Sequence, residues 1–407
     1  MPTQWSDPTF LDMLRSHGDY HADASVAQMK GADDFAALFR RAATNSAVMP
    51  IGAPAALQEF FRAADRDILL ENDRARFPDG LDHDRLRRGE LVFLDHAFAF
   101  CLVLLAKSLP EGYAAPCLSV LLNMSGNLRR APYRRLMGVL QLVVDVGSTN
   151  GFDKGGRAIA AAKQARLMHA GIRTLANRQL PGYAAQYGGV PVNLEDMLGT
   201  IMGLSILVID GVPTLFAALP APDAEDYYYL WRAFAVAMGI HPPGAVRTGE
   251  WVPANLAEAR EFYASYEQRH YEHDPALNPD GEALARENLA MINALVPRLL
   301  RDVGLANAPL MFVTELIGAE GCRRVGIAPA NTGAFRYRAV RLFMKSVARF
   351  VALLDRIDPH GRLHPTLSRL VLQDMISRQY GGIVTFRIPE SLKQVEALVN
   401  PAADSGT

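Results

Sequence analysis

Gly155-Gly-Arg-Ala-Ile-Ala-Ala-Ala-Lys-Gln-Ala-Arg-Leu-Met-His-Ala-Gly-Ile-Arg173 is the stretch on which the reading of the fold turns. Alanine dominates it and proline is absent. From Arg157 on, its only β-branched residues are Ile159 and Ile172, so its intrinsic preference is helical. The periodicity predicts a helix over Arg157–Arg178. On it Ala162, Ala165, His169, Ile172 and Ala176 share one stripe by the three-and-four rule. Small neighbours let something bulky approach the helix, and an imidazole pointing into that space can serve as an axial metal ligand. Arg166, three residues before His169, and Arg173, four after, flank it; a guanidinium fork matches a ligand's carboxylates bidentately. The same geometry also describes a core histidine with a helical hydrogen bond and two surface arginines.

Working outward, the chain reads as helix after helix. Ala, Leu, Met and Arg fill long windows with apolar recurrence at three and four, over Asp33–Thr44, Ala55–Phe61, Arg88–Lys107, Ala114–Asn123, Tyr133–Val146, Leu194–Ile209, Ala224–Met238, Leu256–Glu272, Gly281–Val303 and Phe335–Ile357. Gly147 to Gly156 is a Ser/Asn/Gly/Lys loop, and Asn193 is an N-cap with Asp196 at N3. The strand signal falls at Gly382-Ile-Val-Thr-Phe-Arg-Ile388. The expected fold class is all-α, with a helical core over 55–271, an N-terminal arm and helices over 1–54, a C-terminal helical extension over 272–395 and a tail over 396–407.

Composition narrows the function. The 407 residues carry 42 Lys+Arg against 43 Asp+Glu, a net charge of −1 that argues against general nucleic-acid binding. Three cysteines, Cys101, Cys117 and Cys322, make no disulfide framework and no CxxC pair, which points to a reducing compartment. The N-terminal stretch has early acids and no apolar run after a basic start, so no secretory leader is expected. His96–Ala106 is too short to cross a bilayer, and Met197–Pro222 is interrupted by Asp210, Pro213 and Pro220; both read as buried helices. A cytoplasmic protein with no membrane span is therefore expected. GxGxxG after a strand, GxxxxGK[ST], HExxH and GxSxG are all missing, which leaves the nucleotide, zinc-protease and α/β-hydrolase readings with nothing in their favour.

Arg166-Leu-Met-His-Ala-Gly-Ile-Arg173, then Gly189-Val-Pro-Val-Asn-Leu-Glu-Asp-Met-Leu-Gly-Thr200, then Asp226-Tyr-Tyr-Tyr-Leu-Trp-Arg232 and Met238-Gly-Ile240, occur in that order. Upstream lie Ser108-Leu-Pro-Glu-Gly-Tyr-Ala-Ala-Pro116, Ser125-Gly-Asn-Leu128, Tyr133-Arg-Arg-Leu136 and Val144-Asp-Val146. Together, over about Phe60 to Tyr271, this pattern resembles the bacterial latex clearing protein (rubber oxygenase) family and the related fungal oxygenase of mycophenolic acid biosynthesis. The resemblance implies a globin-like helical core, flanked by extra N- and C-terminal helices, that holds haem b. It implies His169 as the proximal ligand of the haem iron, with Arg166 and Arg173 near the propionates.

The latex enzymes carry an Arg-x-x-Lys-Thr run on the distal helix. Spacing places Arg135-Leu-Met-Gly-Val139 there, so Arg135 matches the arginine while Gly138 and Val139 replace the lysine and threonine. The family's distal carboxylate has no counterpart; Ser119 stands near that position. The distal wall is thus expected from Arg135, Met137, Gly138, Val139 and Gln141, with Ser125 offering a hydroxyl. Arg135 is the expected catalytic residue, hydrogen-bonding an iron-bound oxygen; its alternatives are a propionate clamp or a surface residue.

Other constellations carry less. His270 and His273 with Glu267 have a passable metal spacing, yet such charged runs are commonly a solvated face. His360 and His364 lack a third ligand. Trp231 and Tyr227 to Tyr229 read as core packing. The resemblance implies a haem b-dependent oxidoreductase that cleaves a C=C bond of a hydrophobic small molecule with O2. A haem-binding sensor or carrier without oxygenase activity is the alternative, and a haem-free helical scaffold the third.

Overall fold

The start of each helix is written in its capping residues. Asp7 accepts from the Thr9 amide at 2.9 Å and Pro8 takes the first position of α1 (Pro8–Arg15). Asp19 accepts from the Ala22 amide at 3.2 Å and opens α2 (Tyr20–Met29). In α3 (Ala55–Asp67) the buried positions Leu57, Phe60, Phe61 and Ala64 follow the three-and-four rule. Asp82 caps α4 (His83–Val103), which passes into a π-helical turn, Leu104–Ser108. Asn288 donates to the Leu105 carbonyl there at 2.8 Å, supplying a partner where the regular ladder is interrupted. Next come α5 (Pro116–Met124), α6 (Pro132–Val146) and α7 (Arg157–Gln179). Asn193 caps α8 (Leu194–Leu215), receiving the Asp196 amide at 2.8 Å as its sequence position foretells. The longer helices that follow are α9 (Ala221–Ala237), α10 (Leu256–His270), α11 (Pro279–Leu295) and α12 (Ala308–Arg324).

This computed structural model describes residues 3–29, 55–67, 81–124, 132–153, 155–296 and 307–335, with scattered positions to 346. The helix expected over Asp33–Thr44, most of that over Phe335–Ile357, Ser125, the strand expected over Gly382–Ile388 and the pair His360 and His364 lie outside the described residues. Among the described residues there is no strand, and the all-α reading holds.

α8 is the axis of the core. It is buried nearly all round and packs on α4, α9, α10 and the π-helical turn. α9 lies along α4 and buries Tyr227, Tyr228, Tyr229 and Trp231, as the sequence reading expected. α7 packs on α6, α9 and α2.

The first thirty residues depart from the expected arm. Leu11 and Leu14 are fully buried. The Val190 and Leu194 amides donate to the Arg15 and His17 carbonyls at 3.2 and 2.9 Å, stitching this segment to the start of α8. The sequence hides this because α1 and α2 are short and polar on their outer faces, so their apolar positions look sparse.

Candidate functional site

His169 sits in the middle of α7, on the stripe that also carries Ala162 and Ala165, both buried. Residues 158 to 167 are buried on every side of the helix, an environment that small side chains make possible. The histidine as a whole is half-buried, yet its Nδ1 is sealed from solvent and has no hydrogen-bond partner among the described residues. Burial pushes the imidazole pKa down to about 4; the Arg173 cation adds to the shift and the Asp19 carboxylate opposes it. At neutral pH the ring is therefore uncharged and keeps a nitrogen lone pair, the form that ligates a metal.

The two arginines beside it are placed differently from the expectation. Arg166 is fully buried: Nε and Nη2 reach Asp19 Oδ2 and Oδ1 at 2.6 and 3.0 Å, and Nη1 donates to the Ala237 carbonyl at 3.2 Å. Arg173 Nε reaches both Asp23 oxygens at 2.9 Å, and Nη1 donates to the carbonyls of Pro191 and Val192. The carboxylates that answer these guanidiniums come from the chain itself. Arg166 is thus paired with a carboxylate of the chain, Asp19. Arg173 retains one donor, Nη2, which is buried without a partner.

Two glycines let the guanidiniums lie where they do. A Cβ on Gly18 would fall 2.7 Å from the Arg173 guanidinium, and one on Gly239 2.6 Å from that of Arg166. Gly239 also has φ +68°, so the Met238-Gly-Ile240 turn needs glycine for both backbone and space.

On the facing helix, Gly138 is buried and Val139 half-buried in α6, and Gln141 donates to Asp145 at 2.8 Å. Arg135 and Met137 belong to the same helix, ahead of Gly138. The loop joining α6 to α7 is pinned to α4, because Glu90 accepts the Asn150 and Gly151 amides at 3.0 and 3.2 Å. Ser119 is fully buried and commits its hydroxyl to the Tyr113 carbonyl at 2.9 Å, so its role is local structure.

His169 and Arg173 are thus brought together with buried, unsatisfied polar atoms, on a stripe of small residues. An imidazole kept neutral, with a buried ring nitrogen that no described residue satisfies, is a donor of the kind an iron porphyrin takes as axial ligand. The residues that sequence reasoning missed are Asp19 and Asp23. Their spacing of four in Gly18-Asp-Tyr-His-Ala-Asp23 was the available signal, and it is common in acidic helix starts.

A second polar centre lies at the start of α8. Asp196 receives Arg15 Nη1 at 2.8 Å, Asn193 Nδ2 at 2.8 Å and the Tyr266 hydroxyl at 3.0 Å. Glu195 receives Arg15 Nη1 and Arg269 Nε, each at 3.1 Å, and contacts His270 Nε2 at 3.0 Å. His270 therefore belongs to an ion-pair network and His273 is exposed. No His/Cys/Asp/Glu cluster with metal-binding geometry occurs among the described residues.

Comparison with known proteins places this geometry. A family profile described as "ER-bound oxygenase mpaB/B'/Rubber oxygenase, catalytic domain" matches residues 92–349. A rubber oxygenase from Streptomyces sp. (strain K30) is 25% identical over 304 residues, covering 72% of this chain and 65% of that relative, a little under two thirds of its length. A solved latex clearing protein in its closed state superimposes with a TM-score of 0.61 at 20% identity, over 95% of this chain and 90% of that one, a likeness of fold. The family description names an ER-bound protein, which overturns the cytoplasmic expectation. In the structure, His83–Gly112 and Leu194–Leu215 are long and apolar enough to cross a bilayer, with 61% and 72% of their most apolar windows buried inside the protein. By the extent of the profile match, the chain belongs to the mpaB/rubber oxygenase family.

Proposed function

We propose that this protein is a haem b-dependent oxygenase that acts on a hydrophobic small molecule with O2, cleaving a C=C bond. The observation that carries the reading is His169, a half-buried neutral imidazole whose buried Nδ1 no described residue satisfies, on the small-residue face of α7 in a chain of this family. His169 would hold the iron. Arg173 Nη2 is the donor left to receive a propionate or an ordered water. When bound, the haem would supply the one-electron and O2 chemistry that no side chain here can.

The protein's own part is binding, orientation and exclusion of water. Gly138 and Val139 on α6 would give an alkene an apolar surface. Arg135, ahead of them on the same helix, would donate to negative charge developing on oxygen. A soluble isoprenoid or a biosynthetic intermediate suits such a surface.

The replacement of the latex enzymes' lysine and threonine by Gly138 and Val139 favours a second reading, a haem protein without oxygenase activity. One experiment separates the two. The purified chain is reconstituted with haem b, and its absorption spectrum and O2 uptake with an olefinic isoprenoid are recorded for wild type, His169→Ala and Arg135→Ala. The oxygenase reading expects a Soret band altered by His169→Ala, and substrate-dependent O2 uptake in the wild type that Arg135→Ala reduces. A band without uptake supports the carrier or sensor. Haem spectra identical in wild type and His169→Ala end the ligand assignment.

A further inference from the structure

Metal-ligating histidines are ordinarily held in orientation by a second hydrogen bond, from the ring nitrogen that does not face the metal to a carboxylate, carbonyl or water. Of the His169 ring nitrogens, Nδ1 has no partner among the described residues and is the one open to a ligand. The height and tilt of the ring as a whole follow those of the helix that carries it. α7 is gripped at two points on the same stripe as His169. Arg166 lies three residues before the imidazole and Arg173 four after, about 10 Å apart along the helix at the usual rise. Each is bound to one carboxylate of the segment that forms α2, and those carboxylates, Asp19 and Asp23, are themselves one turn apart. A single ion pair would leave α7 free to roll or slide about the contact; two pairs a turn either side of the histidine fix both. The guanidiniums have no slack, since Gly18 and Gly239 lie closer to them than any Cβ could. Asp19 is locked in addition by capping α2.

We propose that Asp19 and Asp23 are positioning residues for His169: through Arg166 and Arg173 they clasp α7 on both sides of the imidazole and set its height and tilt toward the haem iron. The inference rests on the haem reading above. It also assigns a site role to chain outside the matched profile, which begins at residue 92. The two pairs differ in depth, Arg166–Asp19 being 0% and 2% exposed and Arg173–Asp23 6% and 38%. The outer pair can therefore be broken with little cost to folding.

The test uses the full chain reconstituted with haem b. Wild type, Asp23→Asn, Asp19→Asn and Asp19→Glu are compared by ferric and ferrous absorption spectra, by the rate of haem transfer to apomyoglobin, and by thermal unfolding. Asp23→Asn is expected to lose haem about tenfold faster or more, with shifted ferric bands, while its unfolding temperature stays near that of wild type. Asp19→Asn is expected to show the larger change, because its ion pair is the deeper one, and Asp19→Glu to leave haem loss faster than wild type, because the longer side chain does not fit the same cap and pair. Should Asp19→Asn fail to fold, Asp23→Asn carries the test. Spectra and haem loss in Asp23→Asn indistinguishable from wild type would overturn the clasp while leaving the haem reading standing. A wild type with no Soret band after reconstitution would overturn both.

Discussion

Two buried polar centres in this molecule have similar ingredients and opposite bookkeeping of donors. At the start of α8, Glu195 and Asp196 are both buried and are surrounded by Arg15, Asn193, Tyr266, Arg269 and His270, with the Cys117 thiol 3.7 Å from Asp196. Both carboxylates accept several donors, and Arg15 Nη2 is the buried atom of the set left without a partner. On α7, the flanking arginines are paired but the histidine between them is not. Buried polar atoms are almost always satisfied, because each unmade bond costs about 1–3 kcal/mol. Carboxylates that answer several donors each are therefore architecture, whereas the imidazole on α7 keeps a buried nitrogen that no described residue satisfies.

The largest expected effect comes from breaking the centre at the start of α8. Asp196→Ala leaves Arg15 with the Glu195 carboxylate and the Tyr187 carbonyl and takes one acceptor each from Asn193 and Tyr266, so urea unfolding should show a loss of about 3–5 kcal/mol. A loss under about 1 kcal/mol would mean that this network does not hold α1 and α10 to α8. Next in size is Gly239→Ala. A Cβ there meets the Arg166 guanidinium at 2.6 Å and forces a side chain into φ +68°, which should cost roughly 1–3 kcal/mol. If the steric clash is the main cause, Arg166→Met should relieve part of it in the double variant. Tyr266→Phe removes one of the donors on Asp196 and keeps the ring, so about 1–2 kcal/mol is expected by the same measurement.

Acid should expose the paired centre further. Burial alone would raise the Glu195 pKa, but the hydrogen bond and charge of His270, with Arg15 and Arg269, hold it below its usual 4.5. A carboxylate with a depressed folded pKa contributes stability that is present above its unfolded pKa and lost as pH falls through the folded one. Glu195→Gln should therefore be less stable than wild type at pH 7, and the gap should narrow below about pH 4.5. Equal unfolding free energies at pH 7 would contradict the assignment.

The centres were not equally legible in the sequence. The helical rhythm of 157–178 and the capping pair Asn193 and Asp196 could be read directly, because caps and periodicity are local. The stripe of His169 with Ala162 and Ala165 was legible for the same reason. What could not be read was which carboxylate answers which arginine. Arg166 and Asp19 are 147 positions apart, and nothing near Arg166 distinguishes a partner in the chain from a ligand's carboxylate. The helices α1 and α2 were missed as core because burial there depends on distant chain: Val190 and Leu194 reach the end of α1, and α2 packs on α3 and α7. Location in the cell was misjudged from apolar stretches, since a buried core helix and a membrane helix share length and hydropathy.

The smallest expected change in stability is also the most telling. His169→Ala removes a half-buried ring, which forfeits some apolar contact, but it also removes a buried nitrogen that no group satisfies and installs the best helix former. These effects oppose one another, so without haem the unfolding free energy should change by less than about 1 kcal/mol. The same substitution should alter the Soret band of the reconstituted protein. Asp196→Ala should do the reverse, weakening the fold while any molecules that remain folded keep the wild-type spectrum. Should His169→Ala instead destabilise the haem-free chain by several kcal/mol, the imidazole would be a structural residue like those around Asp196, and the contrast between the two centres would vanish.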